Sequence, residues 1–103
     1  MTLNNYETIY ILKSDVTENI NLELVNIYKK LIKDNGGQKI LVQHRGRRHL
    51  SYNIAYYYDG IYIQMNYQGN GSLVKLVEKS MKLNNHIVRF LTVRHTPLAD
   101  VNI

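Results

Sequence analysis

The sequence predicts an α+β fold, a four-stranded antiparallel sheet with two helices on one face. Two stretches carry apolar residues at helical spacing, and four are rich in β-branched and aromatic residues. These six follow one another as β-α-β-β-α-β, and 103 residues suffice for one such domain.

Residues 5–12 (NYETIYIL) read as a strand. Tyr6, Thr8, Tyr10 and Leu12 fall on one side, Glu7, Ile9 and Ile11 on the other. Both sides are partly apolar, so alternation alone leaves open which one meets the core. Residues 17–35 read as a helix, with an inner stripe of Ile20, Leu24, Ile27 and Leu31. Thr17 caps its start, and Asn35-Gly36-Gly37 ends it with a left-handed residue.

Residues 37–58 lean towards β structure, as a long strand that makes an exposed excursion through a basic run. Asp59-Gly60 reads as a turn. Residues 60–68 (GIYIQMNYQ) alternate cleanly, Ile61, Ile63, Met65 and Tyr67 against Tyr62, Gln64 and Asn66. Ser72 is the expected cap of a second helix reaching about Leu83, with Leu73, Leu76, Val77 and Ser80 or Met81 inward. Residues 86–95 (HIVRFLTVRH) form the last strand, stopped by Pro97. The whole is the ferredoxin-like arrangement. Residues 1–96 are expected to make the domain and 97–103 a short tail.

Apolar residues make up 45% and charged residues 20%, which excludes a wholly disordered chain. No apolar run is long enough for a membrane-spanning helix, and residues 1–10 lack a secretory pattern. Cysteine is absent, which excludes disulfides, thiolate metal sites and cysteine nucleophiles. His44 and His49 stand five apart with no acid between them, and His86 and His95 stand alone, so no metal site is expected. Neither a phosphate loop, a nucleophile elbow nor a close carboxylate pair is present. Acylphosphatases share this topology but need an arginine in the first strand-to-helix loop, where this chain has Lys13-Ser14-Asp15-Val16.

The net charge of +5 raises the expectation of a polyanionic partner. Its distribution matters more. Between Lys39 and Asn53 lie His44, Arg45, Arg47, Arg48 and His49 without one carboxylate. Such a run can be a solvated hairpin. Three features favour RNA: arginine's planar fork suits phosphate, Gly46 permits close backbone approach, and Tyr52, Tyr56, Tyr57 and Tyr58 lie near for stacking. Tyr10, Tyr28 and Tyr67 read as core residues with wet hydroxyls. Tyr62 reads equally as a stacking platform or a partner contact. Arg94 could reach phosphate or guard a sheet edge, while Lys75, Lys79 and Lys82 read as solvated. The third strand has Gly60 and Tyr62 but lacks the basic and paired aromatic residues of an RNA-recognition motif. Abundant Asn, Ile, Lys and Tyr, with alanine only at Ala55 and Ala99, hint at an AT-rich organellar or compact genome.

NYETIYIL, HRGRRHLSYNI, DGIYIQMNY and VEKSMKLNNHIVRFLTVR occur in this order. The chain thereby resembles the bacterial-type ribosomal small-subunit protein six family, in its cyanobacterial and plastid branch, over residues 5–94. The most specific stretch is Gly46-Arg47-Arg48 leading into Leu50-Ser51-Tyr52-Asn53-Ile54, with His49 and Asn53 less typical. The acidic C-terminal extension of some members has no counterpart here, so nothing attributed to it transfers.

The resemblance implies a structural protein of the small ribosomal subunit, without catalytic activity or cofactor. It would bind small-subunit ribosomal RNA as a heterodimer with ribosomal protein eighteen. Taken with the residues, it makes Lys39, His44, Arg45, Arg47, Arg48, His49, Tyr52 and Arg94 the expected RNA contacts. Glu7, Ile9, Ile11, Tyr62, Arg89 and Leu91 become the expected partner-protein face. Neither a membrane nor a small-molecule substrate is expected. The expected location is the plastid stroma, with bacterial cytoplasm as the alternative. The rival functions are a ligand-sensing regulatory domain of the same topology and a general RNA chaperone.

Overall fold

Strand β1 (Asn4–Lys13), helix α1 (Glu18–Asp34), strands β2 (Gln38–His49) and β3 (Asp59–Gly69), helix α2 (Gly71–Lys82) and strand β4 (Ile87–His95) follow in the expected order. The structure is a computed structural model and describes residues 3–49 and 59–95, with backbone alone at 47–49 and 59. The expected domain and tail boundary near residue 96 lies outside the described residues. All strand pairings are antiparallel, in the order β2-β3-β1-β4, the ferredoxin-like arrangement.

The ambiguity of β1 is resolved by what packs on it. Tyr6, Tyr10 and Leu12 join Leu24, Val25, Tyr28 and Ile32 of α1 and Leu73, Val77 and Met81 of α2 in one buried cluster. Ile63, Met65 and Tyr67 of β3 complete it. Glu7, Ile9 and Ile11 therefore lie on the helix-free face. Ile11 and Tyr62 are directly opposed there and are buried outside that cluster.

Helix α1 is rotated from the expected stripe. Its buried residues are Asn21, Leu24, Val25, Tyr28 and Ile32, whereas Ile27 remains half-exposed. The reason is Tyr28, whose ring meets Tyr10 edge-on at 5.5 Å and occupies the sheet-facing position. Ile27 then sits about 100° away around the axis. In α2 Leu76 is likewise exposed, and the cap is Asn70 rather than Ser72, with the Leu73 N–H donating to Asn70 Oδ1 at 2.9 Å. Thr17 caps α1 as expected. At its other end the Gly37 N–H reaches the Ile32 carbonyl and the Gly36 N–H that of Lys33, a Schellman closure with Gly36 at φ +89°.

Asp59-Gly60 is not a turn: both residues pair within β3, opposite His49 and Arg48. Of the tyrosines expected in the core, Tyr10, Tyr28 and Tyr67 are all buried. Their hydroxyls are not wet, however. That of Tyr67 bonds Thr8, and that of Tyr10 has no hydrogen-bond partner among the described residues.

Candidate nucleic-acid interface

The basic run is not an excursion out of the sheet. Gly46, Arg47, Arg48 and His49 pair with Tyr62, Ile61, Gly60 and Asp59, so the run is strand to its end. Its one irregularity is a bulge between His44 and Gly46, where Arg45 is the extra residue and Gly46 takes φ +79°. A bulge with a left-handed glycine bends and twists a strand, and so re-aims the side chains around it. A second bulge between Gln38 and Leu41 places Lys39 at φ +52°.

Arg45 lies over the helix-free face. Its Nε and Nη2 donate to Gln64 Oε1 at 3.1 and 2.7 Å, and Gln64 Nε2 donates to Asn66 Oδ1 at 3.0 Å. Gln64 is neutral, so this contact orients the guanidinium without cancelling its charge. His44 stands opposite Ile63 and is exposed.

Two other expected RNA contacts are not gathered here. Lys39 sits near the opposite end of β2. Arg94 is opposite Tyr6 on the helix-bearing side of β4, the far edge strand, about three strand spacings or 14 Å from β2. Tyr52 lies outside the described residues.

The six residues expected to face a partner protein do share one surface. Ile9 is flanked by Gln64 and Leu91, Ile11 by Tyr62 and Arg89, and Glu7 by Asn66 and Val93, all on the helix-free face. Leu91 and Val93 are exposed. Tyr62 keeps 4% of its surface exposed and Ile11 6%, so neither side chain is open as a stacking platform or as a partner contact. The Glu7 carboxylate and His95 Nε2 meet at 2.8 Å beside this surface. Charge and aromatic patterns had marked the arginines but passed over Gln64, Asn66 and His95. Alternation alone carried that signal, since an amide has neither charge nor hydrophobicity to betray it.

A ferredoxin-like sheet with an arginine-bearing edge strand and a mixed polar and apolar helix-free face defines a binding domain. No group of three metal-ligating side chains occurs among the described residues, and no described helix is long and apolar enough to cross a membrane. The comparisons agree with that class. Residues 5–94 match the model of the Ribosomal protein S6 family. The chain is 53% identical over 103 residues to small ribosomal subunit protein bS6c of Gracilaria tenuistipitata var. liui, covering 100% of each. It is 45% identical to small ribosomal subunit protein bS6 of a Picosynechococcus strain, over 88% of this chain and 79% of that one. The crystal structure of 30S ribosomal protein S6 from Thermotoga maritima superposes with a TM-score of 0.81 at 27% identity, covering 96% and 94% of the two chains. The chain belongs to the ribosomal protein S6 family of the small subunit, on its plastid and cyanobacterial side. That family is structural, and the chain is not an enzyme.

Proposed function

We propose that this chain binds small-subunit ribosomal RNA through the arginine-bearing end of β2 and docks ribosomal protein eighteen on the helix-free face. The observation that carries the RNA half is the placement of Arg45, Arg47 and Arg48 within four residues of an edge strand bent by a glycine bulge. Arginine's planar fork suits phosphate oxygens, and each neutralised phosphate contributes about −0.7 to −0.9 to the log–log salt slope. The apolar Ile9 and Leu91 beside Glu7 and Arg89 support a protein partner on the face the helices leave bare. The protein works bound to ribosomes in the plastid stroma, as its bS6c relatives support.

The test is binding of the Arg45/Arg47/Arg48→Ala triple variant to small-subunit ribosomal RNA across a salt series, with and without the partner protein. A loss of affinity with a slope shallower by about 2 is expected. Unchanged affinity and slope would remove these arginines from the mechanism. Equal competition by bulk RNA would instead indicate a general chaperone.

A further inference from the structure

At the end of the helix-free face away from Arg45 lies a cavity of about 200 Å³ lined by Asn5, Lys39, Asn66, Gln68 and His95, together with Tyr6 and Tyr67. At roughly 30 Å³ per water it holds about seven waters, room for one small ring system and less than a drug-sized pocket.

Its polar edge has a fixed direction. An arginine can only donate, so Arg45 turns Gln64 Oε1 towards itself and Gln64 Nε2 towards Asn66 Oδ1. Asn66 must then present its Nδ2 donor. Gln68 Nε2 donates to Asn5 Oδ1 at 3.0 Å, which leaves Asn5 Nδ2 as a second donor and Gln68 Oε1 as an acceptor. The cavity edge thus offers two donors and one acceptor.

Lys39 adds a cation by an unusual route. It is the one non-glycine residue at positive φ among the described residues, a conformation that costs about 1 kcal/mol or more outside glycine. The bulge that holds it there brings Lys39 to the cavity wall. His95, held by Glu7, is the second basic group.

We propose that this cavity is a nucleotide subsite that takes one unpaired pyrimidine of RNA. Uracil and cytosine each present two acceptors and one donor on their pairing edge, in different orders, matching in number the donors and acceptor of Asn66, Asn5 and Gln68, and the adjoining phosphate meets Lys39. Guanine presents the reverse set and adenine one of each. The proposal rests on the RNA reading above and names a nucleotide for it. The cavity lies about 20 Å along β3 from the arginine end, six residues from Tyr62 to Gln68, so one single strand can engage both.

The test is fluorescence anisotropy of the full chain with fluorescein-labelled nonauridylate and nonaadenylate. Uridylate is expected to bind about tenfold tighter, the scale of one well-placed base contact. Asn66→Asp exchanges the donor for an acceptor at equal volume and should collapse that ratio, whereas its added charge weakens both oligonucleotides alike. Lys39→Gly suits the positive φ, so it should melt no lower than the parent while its salt slope becomes shallower by about 0.7. Equal binding of the two oligonucleotides, or an Asn66→Asp ratio like the parent's, overturns the subsite. The RNA reading survives that result if the triple arginine variant has lost small-subunit RNA. A parent chain that binds neither oligonucleotide overturns the subsite, and one that binds no small-subunit RNA even with the partner protein overturns both.

Discussion

The Thr8 hydroxyl lies 2.8 Å from the Tyr67 hydroxyl and 2.8 Å from that of Thr92, so a line of oxygens ties β3, β1 and β4 together beneath the helices. Thr8 is fully buried, and burial raises the pKa of Tyr67 while Thr8 bonding lowers it. Such a line is satisfied in one register only, because a one-residue slip would carry Thr8 to the other face. Thr8→Val keeps the shape and removes the oxygen that bonds both the Tyr67 and the Thr92 hydroxyls. It should cost about 1–3 kcal/mol and lower the melting temperature by several degrees, read by circular dichroism. A variant that melts like the parent would show that the line contributes nothing.

Alkaline pH should unfold this protein through its core tyrosines. Burial pushes Tyr10 far above its ordinary 10, with Tyr28 beside it adding to the rise, and burial also raises Tyr28 and Tyr67. A raised native pKa means the native state holds its proton after the unfolded state has released it. The contribution is therefore complete below pH about 10 and is lost as pH climbs through the native values. Because the Tyr10 hydroxyl has no partner among the described residues, Tyr10→Phe should fold normally. Above pH 10 its unfolding free energy, from urea titrations, should fall less steeply than the parent's, by at most about 1.4 kcal/mol per pH unit. Parallel slopes for the two proteins would refute this.

The rotation of α1 exchanges two isoleucines, because the helical spacing puts Ile27 in the inner stripe and leaves Ile32 out of it. Ile32 is fully buried and Ile27 is 49% exposed. Ile32→Ala should cost about 2–5 kcal/mol, and Ile27→Ala about 0.5 kcal/mol or less. Urea unfolding of the pair checks the difference, and comparable losses would contradict the helix orientation.

Leu91 stands beside Ile9 on the helix-free face with 56% of its surface exposed. Leu91→Lys should alter stability by less than about 1 kcal/mol. If ribosomal protein eighteen docks on this face as proposed, the variant should weaken that complex at least tenfold by calorimetry, since a buried lysine without a partner opposes docking. An unaltered complex would move the partner off this part of the sheet.

Much of the fold was legible because its signals are local. The stripe near Leu24, the Thr17 cap and the Gly36 terminus each need only a turn of chain, and all three stand where expected. The errors share one cause. Ile27, Leu76 and Ser72 fit helical spacing as well as the residues that replaced them, and a neighbouring element made the choice: Tyr10 packs on Tyr28, and the close approach of β3 to α2 makes Asn70 the cap. Asp59-Gly60 carries turn chemistry, yet it pairs with Arg48 and His49, a contact that residue preferences cannot anticipate.

By itself the sequence determined the order of the elements, the acid-free basic run and the family, since each is written in neighbouring residues. Only the tertiary structure decided which side of β1 is core, where Arg45 rests, and that Asn5, Lys39, Asn66 and His95 share one cavity. Those outcomes depend on strands up to ninety residues apart aligning in one register, and a register is chosen by the packing of both partners together. Neither strand alone contains it.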